Sequence, residues 1–250
     1  MTIIYILATA LVIWYLLYQS CKNSIINFLS NPKRGFTKTP EDLRLPYETI
    51  FLDTSDGVEI SGWFIESQKP NNLAFIIIGD AFNTKSDLLE QTIFLLEEFN
   101  LLYLDPRGVG TSKGRYRFGF DEHRDIEAAY SFLKNVKDMG KIYIYTVGFG
   151  FVSLFFIGDD VDLKGAVVKK PSQKPLQDIE RMIKSKAKVM ICGSAIDRFF
   201  GTDISRFSFE SEKIKFPVVF ITDRKITYPS SICVKTDEEL KKVLFNFFRC

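Results

Sequence analysis

From Leu73 onward the sequence alternates between short apolar runs and stretches of helical periodicity, and this alternation restricts the fold more than any other feature. Leu73 to Ile78 is continuously apolar and stops at Gly79-Asp80; Lys85 to Phe99 then places Leu88, Leu89, Ile93, Leu95, Leu96 and Phe99 at helical spacing. The cycle repeats with Leu101 to Leu104, Asp121 to Asn135, Ile142 to Val147, Phe151 to Ile157 and Gly165 to Val168. Strands apolar throughout, separated by helices, predict an α/β fold: a mostly parallel sheet covered on both faces. Ahead of it, Tyr47 to Asp53 and Val58 to Glu66 flank the turn residues Ser55-Asp56-Gly57 and predict a β-hairpin. Pro217 to Ile221 and Ile232 to Val234 supply late strands, and Asp237 to Phe248 reads as a closing helix with Leu240, Val243, Leu244 and Phe247 on its apolar face. Between them the period weakens. Pro171, Pro175 and a basic helix over Ile179 to Lys186 suggest a small lid at about 171–212.

The chain begins with an uncharged apolar stretch, Met1 to Tyr18, which as a helix rises about 27 Å against a hydrocarbon core of about 30 Å. It lacks the basic start of a signal peptide, and Ala8-Thr9-Ala10 sits inside the apolar run rather than after it. The expected organisation is a transmembrane anchor over 1–20, a tether over 21–45 containing the breakers Asn31-Pro32 and Thr39-Pro40, and the main domain over 46–250. Lys22, Lys33, Arg34 and Lys38 follow the span, a bias that predicts a single-pass protein with its main domain in the cytosol. Cys21, beside the span, is a free thiol or an acylation site.

In open parallel sheets the reactive groups sit beyond the carboxyl ends of the strands. The loop after Leu104 reads Asp105-Pro106-Arg107-Gly108-Val109-Gly110-Thr111-Ser112-Lys113-Gly114 and resembles the Asp-x-Arg-Gly-x-Gly-x-Ser-x-Gly turn of the α/β-hydrolase superfamily. Asp125-Ile126-Glu127-Ala128-Ala129 is similar to the helix that follows this turn in single-span, membrane-anchored members. Phe216-Pro217-Val218-Val219-Phe220 is similar to the superfamily's late Pro-Val strand. The resemblance covers residues 47 to 248 and implies an α/β-hydrolase-like sheet preceded by one transmembrane helix. For Asp105, Arg107, Gly108, Gly110 and Ser112 the expected role is to brace a turn, with a carboxylate accepting amides and a guanidinium tying loops together.

The chemistry of that fold needs a nucleophile on a sharp strand-to-helix turn, written Gly-x-Ser-x-Gly. The matching residues are Gly148-Phe149-Gly150-Phe151-Val152, which sets Gly150 in the nucleophile slot and Val152 in the last glycine slot. Glycine keeps the turn and deletes the attacking oxygen. The superfamily's His-Gly oxyanion loop is replaced by Ile78-Gly79-Asp80-Ala81, which sets a carboxylate where negative charge would develop. At the acid station Asp223 comes too early and Lys225 takes the expected place; no histidine precedes the last helix, because the chain's single histidine is His123. The resemblance therefore implies a hydrolase body without its triad, serving as a binding or scaffolding pseudoenzyme. The competing reading is an active hydrolase of acyl ester, lipid or peptide substrates with Ser153, Ser112 or Cys192 as displaced nucleophile.

Charge narrows the partners. With 33 basic against 31 acidic residues and no Lys/Arg run, nucleic acid is not an expected ligand. Cys21, Cys192, Cys233 and Cys250 show no C-x-x-C spacing, so reduced thiols are expected, with no metal and no cofactor. The expected partners are the membrane, through 1–20, and a protein or lipid-like ligand. The 24 phenylalanines, among them Phe94, Phe99, Phe118, Phe120, Phe199, Phe200, Phe207 and Phe209, read as core and lid, with a lipid-facing groove as the alternative.

Overall fold

The computed structural model describes residues 2–200, 214–222, 231–235, 239–240 and 243. Among them, eight strands form one sheet: β1 (Glu48–Asp53), β2 (Glu59–Ile65), β3 (Leu73–Ile78), β4 (Asn100–Leu104), β5 (Lys141–Val147), β6 (Leu163–Lys169), β7 (Val218–Ile221) and β8 (Ser231–Val234), in the order β1-β2-β4-β3-β5-β6-β7-β8. β1 and β2 pair antiparallel and β2 meets β4 antiparallel; every later pairing is parallel. The hairpin and the parallel strands thus stand where the sequence patterns set them.

The apolar runs are explained by burial on both faces. In β3, Ala74, Ile76 and Ile78 join one core cluster while Phe75 and Ile77 join another. In β5, Ile142 and Ile144 take the first side and Tyr143 and Tyr145 the second. Each fully buried side chain of this size contributes about 1.5–3 kcal/mol, so neither face can become polar without large loss.

Seven helices are described: α1 (Thr2–Leu29), α2 (Lys85–Thr92), α3 (His123–Asn135), α4 (Gly150–Ser153), α5 (Pro175–Ile183), α6 (Lys186–Ile191) and α7 (Gly193–Phe200). α2 opens on a capping box in which Thr84 N donates to Asp87 Oδ2 at 2.8 Å. It is shorter than its periodicity predicts. Thr92 Oγ1 turns back to the Leu88 carbonyl at 2.7 Å and meets the Tyr103 hydroxyl at 3.0 Å, and Ile93–Glu97 continues as a 3-10 turn. The single basic helix expected over Ile179 to Lys186 is two helices, broken at Lys184, which takes the left-handed φ of +55°.

The chain divides into two compact units. One comprises residues 1–31 and 174–208. Within it α1 packs on α6 and α7, and Ile25 and Leu29 are buried. The other, residues 32–173 and 209–250, holds the sheet.

Two expectations about the approach segment change. α1 runs as one helix through Cys21 to Leu29, so the first third of the expected tether is helical. Residues after Pro32 pack on the sheet unit: Lys33 N donates to the Ala81 carbonyl at 2.8 Å, Lys33 Nζ pairs with Asp87 at 2.5 Å, and Thr37 N donates to Ser86 Oγ at 3.0 Å. Breakers that read as linker chemistry in the sequence thus bend a docked segment. Of the closing helix only Glu239, Leu240 and Val243 are described, and Leu240 is buried.

α1 is long and apolar enough to cross a membrane, and its most apolar window is not buried within the protein.

Candidate functional site: the corner between β5 and α4

β3 and β5 are adjacent central strands, so the loops leaving their carboxyl ends meet. The sharp corner after β5 is made by Gly148, whose φ of +54° lies in the left-handed region that side chains disfavour. Its amide donates to the Lys169 carbonyl at 3.0 Å, and its carbonyl accepts from Ser172 N at 3.0 Å. A Cβ on Gly148 would stand 2.2 Å from Asp80 Oδ2. Gly150 is the first residue of α4, where a Cβ would fall 1.9 Å from Thr146 Oγ1 and 3.3 Å from the Gly79 carbonyl oxygen. Thr146 Oγ1 is itself buried without a hydrogen-bond partner.

Asp80 is buried, and two donors hold its carboxylate. Oδ1 accepts from Phe82 N at 3.0 Å and from Asn83 Nδ2 at 2.7 Å, and the backbone amide of Phe149 is near enough to favour the charged form. Burial pushes the acid up, and these donors pull it back. Phe149, the residue after the corner, packs its ring at 5.0 Å from Phe118, which meets Tyr116 at 5.2 Å. These rings cover the corner.

Periodicity does not reveal the ionic network formed by the buried Arg107, Glu122 and Asp125 with the exposed Asp56. Asp125 accepts from Arg107 N at 2.8 Å, Nε at 2.9 Å and Nη2 at 2.8 Å, and Arg107 also forks onto Asp56 at 2.7 and 3.1 Å. Burial pushes Asp125 up to about 6, against the Arg107 charge; the Arg107 hydrogen bond holds Asp56 far below the usual carboxylate range. Glu122 accepts from Arg117 N at 2.5 Å and Gly119 N at 2.6 Å, and burial followed by the Asp125 charge lifts it to about 8.

The Asp105–Ser112 loop is held by its own side chains. Ser112 Oγ donates to the Asp105 carbonyl at 2.6 Å and accepts from Ser61 N at 2.9 Å. Gly108 and Gly110 have φ of +76° and +51°, and a Cβ on Gly110 would lie 2.1 Å from Asp105 Oδ2. Asp105 receives the buried Lys85 ammonium at 2.6 Å, which also reaches Ser61 Oγ at 2.9 Å and stacks 5.0 Å above both Phe36 and Trp63. Sequence reading missed Lys85, because a lysine opening a helix looks like a solvated end. The only available signal was the unpaired Asp105 at the end of a buried strand.

Ser153 is buried in α4 and Val152 is buried beside it. His123 begins α3, with Nδ1 at 3.1 Å from the Phe120 carbonyl and its ring 5.9 Å from Phe156; burial pushes it down. Cys192 is buried in the other unit, 3.2 Å from Cys21 Sγ. Asp223, Lys225, Phe207 and Phe209 fall outside the described residues. Phe99, Phe118, Phe120 and Phe199 are buried and Phe94 is half-buried. Among the described residues no cluster of three His, Cys, Asp or Glu side chains is placed to hold a metal ion.

A hairpin leading into a parallel sheet of order 1-2-4-3-5-6-7-8, with a left-handed corner after the fifth strand, defines the α/β-hydrolase fold, and this chain has that fold. It is similar to an esterase from Pyrococcus furiosus, at 22% identity and a TM-score of 0.68 over 88% of this chain and 98% of that one. It is also similar to an α/β hydrolase from a Penicillium species (14% identity, TM-score 0.58, 82% and 98% covered). A hydrolase from Pseudomonas aeruginosa aligns at 11% identity with a TM-score of 0.56, over 81% of this chain and 99% of that one. No protein-family profile and no curated protein matches the sequence.

Proposed function

We propose that the chain is a membrane-anchored α/β-hydrolase-fold protein without a catalytic triad, acting as a binding or scaffolding body. The observation that carries this reading is the Asp80 carboxylate at the corner. In an active member the nucleophile takes the left-handed corner, and the oxyanion is held by the amide that follows it together with an amide from the loop after the third strand. By that criterion the nucleophile slot is Gly148, two residues earlier than the motif spacing sets it, and the small flanking positions are Thr146 and Gly150. The slot is glycine in either register.

In this reading the two oxyanion donors are Phe149 N–H and Phe82 N–H; Asp80 accepts from Phe82 N–H and lies close to Phe149 N–H. The protein fills its own hole with a fixed carboxylate. The displaced-nucleophile alternative gains no support from position: Ser112 bonds within its turn, and Ser153 and Cys192 are buried. The charge bias after the span favours a cytosolic main domain, and protease protection in sealed vesicles tests that orientation.

Fluorophosphonate labelling of the full chain in mild detergent, run beside a short-chain ester assay, tests the loss of catalysis. No labelling and no turnover are expected from protein that melts cooperatively. Labelling of the native chain overturns the reading, and peptide mapping then names the true nucleophile.

A further inference from the structure

Within the unit formed by α1 and α5 to α7, an open groove of about 460 Å³ runs between α1 and α6. Its wall on α1 changes character over a few residues: Trp14, Leu17 and Tyr18 are the last side chains of the apolar run, and Ser24 follows two turns later, beyond Lys22, the first charge in the chain. The wall on α6 adds one basic and one apolar side chain, Lys188 and Ile191, three residues apart. Among the described residues no carboxylate lines the groove.

Two further observations fix the depth at which this groove sits if α1 spans a bilayer. Trp14 and Tyr18 stack at 5.9 Å on one face of α1, and paired aromatic rings at the end of an apolar run are the mark of the headgroup boundary. On α6, Met190 and Ile191 are 78% and 52% exposed. α6 thus presents exposed apolar side chains next to the exposed Lys188, a combination suited to the boundary between acyl chains and headgroups.

We propose that this groove binds one anionic phospholipid, with its acyl chains along Trp14, Leu17 and Ile191 and its phosphate among Lys188, Ser20 and Ser24. A ligand that fills it must be apolar at one end and negatively charged at the other, and must reach it from the bilayer side. Free phosphate meets only the second requirement and a neutral lipid only the first. The proposal rests on the membrane-anchor part of the reading above and is independent of whether the corner at Gly148 is catalytic.

The test uses the full chain reconstituted with equal amounts of phosphatidylglycerol and phosphatidylcholine, then delipidated stepwise in detergent and examined by native mass spectrometry. Retention of phosphatidylglycerol over phosphatidylcholine is expected. Lys188→Glu is expected to cut that preference by about five-fold, the effect of one basic residue at an anionic surface. Lys188→Arg should keep the preference, and Lys164→Glu, on the sheet unit, should leave it unchanged. Equal retention of the two lipids, or a preference untouched by Lys188→Glu in protein of native melting behaviour, overturns the proposal. Alkaline carbonate washing of membranes separates the two levels: a chain that is washed off overturns the anchor and the lipid site together, whereas a chain that stays while showing no preference overturns the lipid site alone.

Discussion

Asp80 Oδ2 lies 2.2 Å from the point where Gly148 would carry a Cβ, so the carboxylate and a side chain at the corner exclude each other. Gly148→Ser alone is therefore expected to destabilise the protein by about 1–3 kcal/mol, the usual cost of overfilling a packed site. Gly148→Ser combined with Asp80→Gly should recover part of that loss in chemical denaturation, and neither variant should label with fluorophosphonate, for want of a base. Gly150→Ser makes a separate test of the register. It drives a side chain into Thr146 Oγ1 and should destabilise as much, with rescue by Thr146→Gly and not by Asp80→Gly. The reverse pattern of rescue would return the slot to Gly150.

Lys85 and Asp105 form an ion pair with both side chains almost fully buried. Removing one partner leaves the other charge desolvated without compensation, so Lys85→Met or Asp105→Asn should each cost about 3–5 kcal/mol. The double substitution should cost clearly less than the sum. Additive losses in a double-mutant cycle would mean that the two charges are not coupled.

Glu122 titrates in the folded protein at about 8, above its ordinary 4.5. A folded state that holds its proton longer than the unfolded chain loses stability as pH rises, here between about 4.5 and 8, by an amount on the order of a few kcal/mol. Asp125, lifted to about 6, adds to the lower part of that window. Asp56 works in the opposite sense: held low by Arg107, it stabilises above 3.8 and loses that contribution on acidification. Denaturant midpoints from pH 5 to 8 should fall in the native protein and flatten in Glu122→Gln. A native profile that rises across this range would contradict the buried, protonated carboxyl.

Cys21 Sγ and Cys192 Sγ are 3.2 Å apart, the first on α1 and the second between α6 and α7. Diamide, which accepts two electrons and two protons as the two thiols join, should produce an internal disulfide in the full chain. On a non-reducing gel the product should run faster, and the shift should vanish in Cys21→Ser and in Cys192→Ser. Absence of the shift in the native chain would argue against the packing of α1 on this helix pair.

The sheet was legible because both faces of β3 and β5 are buried, which writes burial directly into residue type: adjacent positions that point to opposite faces are both large and apolar or aromatic. The Asp105–Ser112 turn was legible for a different reason, its glycines being demanded by positive φ and by close approach to Asp105. The register of the corner was not. Gly148 and Gly150 are both glycine, and only φ and the contact with Thr146 tell the corner from its flank. Nor was the docked course of residues 33–38, since its anchors are hydroxyls and lysines that also suit a solvated linker. The Lys85 pair escaped because ion pairs between distant segments leave no periodicity.

α1 packs on α6 and α7, yet these two helices follow it in the chain only after six of the eight described strands. α1 therefore cannot complete its contacts with these helices until residue 200 has left the ribosome, long after its own residues have emerged. A chain cut before α6 leaves α1 without its helix partners, which gives a truncated product an apolar surface that quality-control proteases can read.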